Sequence, residues 1–162
     1  MSGFVRATKP VASAAPRVRS TVPEDLPAVE RLLAENDLPL DGVRDAFSSF
    51  VVAESGGEIV GVAGLEVRGS DALLRSVAVR PAWRSHGVGR ALVTRVISDA
   101  EASGLRALYL LTTTAERYFP NFGFHPVTRD QVPREVRQTS EFRGACPASA
   151  TVMCRECAPG GG

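Results

Sequence analysis

The fold is decided by residues 77–89, which read VAVRPAWRSHGVG. The apolar start of this stretch predicts the end of a strand, and the period of apolar residues after Gly89 predicts a helix. Gly87 and Gly89 lack side chains where the chain turns from strand to helix, so the backbone can approach a ligand closely there. The first amides of the helix and the positive end of its dipole favour an anion such as a pyrophosphate. Arg84 and Arg90 flank the loop and can add charged contacts.

Two other phosphate-binding loops can be compared with these glycines. A dinucleotide-binding loop needs a third small residue after Gly89, but Leu92 occupies that position, and the preceding strand ends a meander. A P-loop needs Gly-Lys followed by Ser or Thr, which the sequence lacks. Both loops are therefore excluded. An ordinary strand–helix turn that contains two glycines is the alternative that the glycine pair alone leaves open.

The meander before the loop consists of three predicted strands joined by tight turns, at residues 50–54, 59–67 and 72–79. A strand at 17–22 precedes it, followed by a helix with Asp25 as its cap and a short helical piece at 42–47. Successive strands joined by tight turns pair antiparallel, so this half of the chain predicts an antiparallel sheet.

After the loop, a helix that ends near Gly104 carries one apolar stripe, formed by Leu92, Val93, Val96, Ile97 and Ala100. Residues 107–112 are apolar without alternation, which is typical of a buried parallel strand. Thr113 or Thr114 can cap a further helix that ends near Gly123. The order predicts an α+β fold with a mixed, mostly antiparallel sheet flanked by helices.

The length of 162 residues favours a single domain. Residues 1–16 are rich in Ala, Pro and Ser and predict a disordered arm, whereas the glycine-rich residues 158–162 predict a flexible tail. The predicted domain therefore spans residues 17–157. Lys9 is the single lysine of the chain, which excludes a lysine general base inside that domain.

A net charge of +1 offers no attraction to nucleic acid or to a membrane surface. No apolar run could span a bilayer and no secretory signal is visible, so we expect a cytoplasmic protein. The odd set Cys146, Cys154 and Cys157 argues against a disulfide framework. Cys154-x-x-Cys157 lacks a second pair of ligands for zinc, so we expect ordinary thiols and no metal.

Residues 75–93 resemble the acetyl-CoA motif of the GNAT superfamily of acetyltransferases, and residues 115–124, AERYFPNFGF, are similar to that family's helix ending in Gly-Phe. The two motifs stand in the family's order, and the resemblance covers residues 17–155. It implies a sheet whose central strands splay apart, acetyl-CoA as the co-substrate, and a small amine as the acceptor. A monomer or a homodimer is expected.

The resemblance also implies which residues bind acetyl-CoA. The pantetheine arm would pair with the backbone of Val77, Ala78 and Val79. The pyrophosphate would be held by the loop and the start of its helix, that is by Arg84, Ser85, His86, Gly87, Val88, Gly89 and Arg90.

The catalytic pair is displaced from the family's usual pattern. An attacking amine must lose a proton, but residues 73–79 contain no carboxylate, so Glu66 is the candidate base and Asp71 the other nearby carboxylate. The family's tyrosine lies four residues before the glycine of Gly-Phe, a position that Phe119 occupies here. Tyr118 is the candidate acid if the helix is rotated, and a packing residue otherwise. His86 and His125 are interpreted as bystanders.

The acceptor site is predicted from polar residues near the two central strands. Arg75 lies on a strand expected to be buried, so it either pairs with an internal carboxylate or clamps an acidic substrate, and we favour the clamp. Strand alternation places Arg75 on the same face as Val77 and Val79. Thr112 and Thr113 end the parallel strand, where ligands collect in open α/β sheets, and can orient the acceptor.

Within the superfamily, residues 110–116, 132–142 and 146–150 resemble the bacterial arsenic-resistance N-acetyltransferase branch. The implied acceptor is an amino-acid-like amine carrying acidic groups, with Arg75 and Arg137 as partners. Cys146 is either a thiol for arsenic or a structural residue. The segment 130–147 is expected to cover a small pocket. A non-catalytic acetyl-CoA-binding regulator and a protein or peptide N-acetyltransferase are the alternatives.

Overall fold

The structure, a computed structural model, describes residues 15–158. These residues contain one sheet of seven strands, in the order β1-β2-β3-β4-β5-β7-β6. All neighbouring strands are antiparallel except β4 and β5, which are parallel. The predicted α+β class with a mixed, mostly antiparallel sheet is confirmed. The strands are β1 (Arg17–Ser20), β2 (Phe50–Ser55), β3 (Glu58–Arg68), β4 (Asp71–Val79), β5 (Ala107–Thr112), β6 (His125–Val127) and β7 (Thr151–Glu156).

Helices cover both faces of the sheet: α1 (Leu26–Glu35), α2 (Val43–Ala46), α3 (Val88–Ala102) and α4 (Arg134–Arg137). The longest, α3, buries against one face the stripe that the sequence predicts: Leu92, Val93, Val96, Ile97 and Ala100. On the opposite face, α1 packs Val29, Leu32 and Leu33 against residues of β2 and β3. Alternation along β2 separates the two cores, because Val51 belongs to the first and Val52 to the second.

A third apolar cluster fixes the segment that follows β6. Val132 and Val136 pack against Leu73 of β4 and Tyr109 of β5. The chain then forms a single helical turn, Glu141–Ala145, before it enters β7. This turn places Glu141 beside Arg75, in the middle of β4.

The two parallel strands separate soon after they begin. β4 and β5 pair only at Asp71, Ala72 and Leu73, although β4 continues to Val79. Ser76 of β4 has a φ of 61°, and the register with β3 shifts there, so Ala63 opposes both Ser76 and Val77. Such a bulge bends and twists its strand. The splay that the GNAT resemblance implies is thus present.

This bulge corrects one prediction about β4. Simple alternation places Arg75 on the same face as Val77 and Val79. In the structure, Leu74, Val77 and Val79 contact the α3 core. Arg75 points to the other face, because the additional residue at Ser76 reverses the alternation.

The prediction of a helix that ends near Gly123 is also wrong. The chain forms only a 3₁₀ turn, Phe119–Phe122. Pro120 within it has no amide hydrogen, and its ring would clash with the carbonyl four residues earlier in an α-helix. The capping threonine is Thr112, whose Oγ1 accepts hydrogen bonds from the amides of Thr114 (3.3 Å) and Ala115 (2.9 Å).

The arm predicted for residues 1–16 and the tail predicted for 158–162 lie outside the described residues, except at 15, 16 and 158. The division into arm, domain and tail therefore stays a prediction. Within residues 15–158, none of the helices combines the length and the apolar character needed to cross a bilayer. The expected cytoplasmic location stays a prediction.

The close packing of β3 gives a test of the fold. A Cβ added to Gly64 would overlap the ring of Phe50. We expect Gly64→Ala to lower the free energy of unfolding by about 1–3 kcal/mol, because overpacking displaces neighbouring groups. Chemical denaturation measures this loss.

Gly61→Ala on the same strand is the control. Its Cβ would meet the ends of the Leu92 and Val88 side chains at 2.8 and 2.9 Å, and these ends can move aside. A smaller loss is expected there. Unchanged stability of Gly64→Ala would contradict the packing described here.

Candidate functional site

A cavity of about 500 Å³ lies where β4 and β5 separate. Its walls come from the second half of β4, the end of β5, the loop after α1 and residues 130–147 before β7, which we call the covering segment. The side of β4 that faces it has no strand partner beyond Leu73 among the described residues. The lining residues are Asn36, Leu38, Pro39, Leu74, Arg75, Ser76, Val77, Ala78, Val79, Arg84, Gly89, Leu110, Leu111, Thr112, Thr114, Ala115, Tyr118, Phe119, Glu141 and Cys146.

Val77, Ala78 and Val79 all line this cavity. Ala78 and Val79 pair with β3 along one side of β4, which leaves the opposite side of the backbone to the cavity. An extended ligand could therefore add to β4 as a strand does, by hydrogen bonds to the main chain. The predicted contact with pantetheine has the geometry it needs.

The glycine loop lies at one end of the cavity. Gly87 has a φ of 80° and precedes the first residue of α3. A Cβ on Gly87 would meet no atom within 4 Å, so the space in front of it is open. Ser85 and His86 are exposed, whereas the side chain of Val88 is buried in the core and leaves only its amide for a ligand. The amides of this loop lie where the sequence predicts the anion site, and that role stays a prediction.

The two arginines beside the loop have different surroundings. Arg84 Nη2 donates to Asn36 Oδ1 at 2.7 Å, and its Nε donates to the carbonyl of Val79 at 3.3 Å. Arg84 therefore joins α1 to the end of β4 at the wall of the cavity. Arg90 on the first turn of α3 is exposed, with its guanidinium 5.9 Å from the centroid of the Phe122 ring. Both cations lie within the region of the predicted pyrophosphate.

The hydroxyl of Tyr118 lies so close to Gly89 that a side chain at position 89 would crowd it. A Cβ on Gly89 would lie 3.1 Å from the Tyr118 Oη, so the hydroxyl approaches the backbone at the start of α3. Burial raises the pKa of Tyr118 above its usual value, so the phenol stays protonated at neutral pH. The 3₁₀ turn after it places Phe119 in the core and Tyr118 at the cavity. The structure thus brings the predicted acid to the site.

Arg75 has partners within the protein, which corrects the clamp hypothesis. Its side chain is fully buried and forms ion pairs with Glu66 (Nη1 to Oε1, 3.0 Å) and with Glu141 (Nε to Oε2, 3.4 Å). The hydrogen bond of Nε goes to Ser76 Oγ at 3.1 Å, and Nη2 donates to the carbonyl of Asp41 at 2.6 Å. The guanidinium is therefore committed to neutralising internal carboxylates, as a buried charge requires.

Glu66 and Arg137 are not brought to the cavity. Both carboxylate oxygens of Glu66 are engaged, Oε1 by Arg75 and Oε2 by Arg68 Nη2 at 2.6 Å. Glu66 lines a separate surface depression and does not line the cavity. Arg137 is exposed on α4. The predicted base and the predicted second clamp therefore lie outside the splay.

Glu141 is the carboxylate that sequence reasoning missed. It is buried, lines the cavity and contacts Arg75, and the Cys146 thiol donates a hydrogen bond to it. Burial raises the pKa of Glu141, and the charge of Arg75 opposes that rise only in part. The one signal in the sequence was the expectation that residues 130–147 cover a pocket. That segment contains several carboxylates, and only the packing selects Glu141.

Thr112 and Thr113 line a second cavity of about 380 Å³. It shares six lining residues with the first: Leu38, Pro39, Leu111, Thr112, Thr114 and Cys146. Thr112 is committed as a cap but keeps its own hydroxyl hydrogen, whereas Thr113 is exposed. The two cavities meet at the end of β5. Thr112 is therefore placed at the main cavity and Thr113 only at its neighbour.

The cysteines are thiols in three different settings. Cys154 is buried beside Tyr109, and Cys146 and Cys157 are half-buried. Burial and the neighbouring Glu141 raise the pKa of Cys146 to about 12, so this thiol is neutral at physiological pH. Within residues 15–158, no three His, Cys, Asp or Glu side chains converge as a metal site would require. The expectation that no metal takes part stays a prediction.

Comparison with known proteins agrees with this geometry. The model of the "Acetyltransferase (GNAT) family" matches residues 16–124. A Mycobacterium tuberculosis protein named amino-acid acetyltransferase is 34% identical over 133 residues, which is 75% of each chain. An Escherichia coli protein of the same name is 37% identical over 67 residues, but this match spans only 15% of that longer protein.

Solved structures show the same fold. An N-acetylglutamate synthase from Neisseria gonorrhoeae, complexed with coenzyme A and N-acetyl-glutamate, superposes with a TM-score of 0.77 at 20% identity, over 97% of this chain and 37% of that one. A Mycobacterium tuberculosis protein solved in complex with CoA superposes with a TM-score of 0.76 at 26% identity, over 88% of this chain and all of that one. The first of these likenesses concerns the fold alone.

The open space at Gly87 gives a test of the anion site. We expect Gly87→Asp to weaken CoA binding by at least about tenfold, because a carboxylate would occupy and repel the site of the phosphates. Isothermal titration calorimetry measures the affinity.

Gly104→Asp is the matched control at the other end of α3. Gly104 has a φ of 78° and equally open surroundings, so the backbone strain is shared while the phosphate site is untouched. CoA affinity is expected to stay at the wild-type value in this control. Equal losses in both variants would show that strain, not the anion site, is responsible.

Proposed function

Because this chain belongs to the acetyltransferase (GNAT) family, we propose that it transfers the acetyl group of acetyl-CoA to the primary amine of a small amino-acid-like acceptor. One observation carries the proposal: the cavity between the splayed strands is continuous from the glycine loop to Tyr118 and Thr112. It offers a path for a cofactor and, beyond the cofactor's end, a place for an acceptor.

The cofactor would lie along β4. Its pyrophosphate would be held by the amides of the loop between Ser85 and Arg90, with Arg84 and Arg90 adding charge. Its pantetheine arm would extend along Val77, Ala78 and Val79. The thioester would then reach the bulge at Ser76, three residues beyond Leu73, where the pairing of the two strands ends.

Two groups at the cavity support acyl transfer there. An unpaired amide of β4 beside the bulge would stabilise the negative oxygen of the tetrahedral intermediate, and one such donor is worth about 3 kcal/mol in other enzymes. Tyr118 would donate its proton to the departing CoA thiolate. Its hydroxyl lies beside Gly89 at the start of α3, and Tyr118 lines the same cavity as Ser76.

The acceptor class rests on the relatives. The Mycobacterium tuberculosis protein named amino-acid acetyltransferase covers three quarters of this chain, which supports an amino acid as the acceptor. The second cavity, lined by Thr112 and Thr113, has room for one. An arsenic-resistance role has no support among the relatives named above. The neutral thiol of Cys146 also argues against capture of arsenic, because thiolates are the ligand form.

The two alternatives remain distinguishable. A non-catalytic regulator would bind acetyl-CoA without needing ionisable groups at the splay, whereas Tyr118 and Glu141 both line the cavity. A protein or peptide N-acetyltransferase would need an open groove. Here the turn Glu141–Ala145 covers that side of the sheet.

Release of free CoA from acetyl-CoA in the presence of a panel of amino acids tests the proposal. Turnover with at least one α-amino acid is expected, and mass spectrometry should find the acetyl group on its amine. Tight acetyl-CoA binding without turnover on any amine would establish the regulator instead. Turnover confined to peptides would establish the peptide alternative.

The phenol of Tyr118 can be tested separately. We expect Tyr118→Phe to lower kcat by about 100-fold or more, the usual contribution of a general acid, with little change in acetyl-CoA affinity. Tyr109→Phe is the matched control, since that buried tyrosine packs in the third cluster away from the cavity. A kcat for Tyr118→Phe equal to that of the control would leave Tyr118 as a packing residue.

A further inference from the structure

The proposed acetyl transfer needs a group that removes a proton from the acceptor, since a protonated amine cannot attack a thioester. The cavity between β4 and β5 is lined by one carboxylate among the described residues, Glu141, whereas Asp37 and Asp41, which line the adjoining second cavity, are exposed. Its side chain is 5% exposed, so the carboxylate is held in the wall and not in bulk solvent. The wall itself therefore provides a candidate for this step.

The ion pairs around Arg75 are unequal. Arg75 contacts Glu66 at 3.0 Å but Glu141 at 3.4 Å, and Glu66 has a second cation, Arg68, at 2.6 Å. Glu66 is thus neutralised by two arginines, whereas Glu141 shares one. Of the two carboxylates, Glu141 is the one left with unbalanced charge on the side of the cavity.

We propose that Glu141 accepts the proton of the acceptor amine, and that Arg75 and Glu66 are positioning residues which hold its carboxylate at the splay. This inference rests on the proposed acetyl transfer. The general base then comes from the covering segment, since β4 has no carboxylate between residues 73 and 79. The buried Arg75 also gains a role, which is to orient a carboxylate of the enzyme and not one of the substrate.

The electrostatics fit this role. Burial raises the pKa of Glu141, and repulsion from Glu66 raises it further, while Arg75 and the Cys146 thiol hold it down. A general base works best when its pKa lies near the operating pH, so a raised carboxyl pKa suits proton abstraction better than the usual value. Arg75, Glu66, Cys146 and Glu141 face one another there, and the charge of Arg129 also acts on Cys146.

The protons balance in the following sequence. The ammonium form of the acceptor gives one proton to the Glu141 carboxylate, and the neutral amine attacks the thioester carbonyl carbon. A C–N bond forms, and the C–S bond breaks as the thiolate takes the Tyr118 proton. The amide nitrogen then loses its second proton, which restores the phenol. Glu141 returns its proton to solvent, so the net products are the acetamide, CoA and one proton.

The direct test is Glu141→Gln, which keeps the shape and removes the charge. We expect kcat/KM for an amino-acid acceptor to fall by about 100-fold or more, while calorimetry finds acetyl-CoA affinity unchanged. The fall should shrink for an acceptor whose amine has a low pKa and is already neutral at the assay pH, since that amine needs no base. Glu135→Gln on the exposed face of α4 is the matched control and should keep wild-type kinetics.

Glu66→Gln tests the positioning role through the pH profile. Removing the Glu66 charge removes a repulsion, so the pKa of Glu141 should fall and the acid limb of kcat/KM should move to lower pH. A structural ion pair alone would lower stability without moving that limb. Glu141→Gln with wild-type kcat/KM, or a loss of equal size on amines of every pKa, would overturn the proposal. Absence of turnover by the wild-type chain would instead contradict the acetyl transfer.

Discussion

The structure depends on the separation of two parallel strands after three residues of pairing. β4 pairs with β5 at Asp71, Ala72 and Leu73, and the left-handed Ser76 then bends β4 away. Amides and carbonyls of β4 that would otherwise pair with β5 therefore face the cavity. The glycine loop and the start of α3 follow at the end of the same strand, so the proposed anion site and the proposed strand-like ligand site lie in one line.

The bulge also decides which charges are buried. Because it reverses alternation, Val77 and Val79 pack towards α3 while Arg75 enters the opposite face between Glu66 and Glu141. A buried guanidinium without partners would be strongly destabilising, and here Glu66 of β3 and Glu141 of the covering turn both supply a carboxylate. The pairing with Arg75 places Glu141 at the wall of the cavity. Glu141 therefore both neutralises the buried Arg75 and stands at the cavity, where it could accept a proton.

Much of this was predictable from local patterns. The apolar stripe of α3, the strand at 107–112 and the glycine loop are confirmed because each depends on nearby residues alone. The prediction of a helix before Gly123 was wrong because Pro120 prevents an α-helix there despite the apolar pattern. The predicted face of Arg75 was wrong because the alternation of apolar residues does not reveal a single left-handed residue such as Ser76. Glu141 was missed because its partner Arg75 lies far away in sequence, and only tertiary packing joins them.

The central claim is that the splay of β4 from β5 is the binding site of CoA. A crystal structure of the chain with CoA tests it most directly. We expect the pyrophosphate on the amides between Ser85 and Arg90, the pantetheine paired with Val77 to Val79, and the sulfur at the bulge of Ser76. CoA bound elsewhere on the sheet, or bound without main-chain pairing to β4, would contradict it.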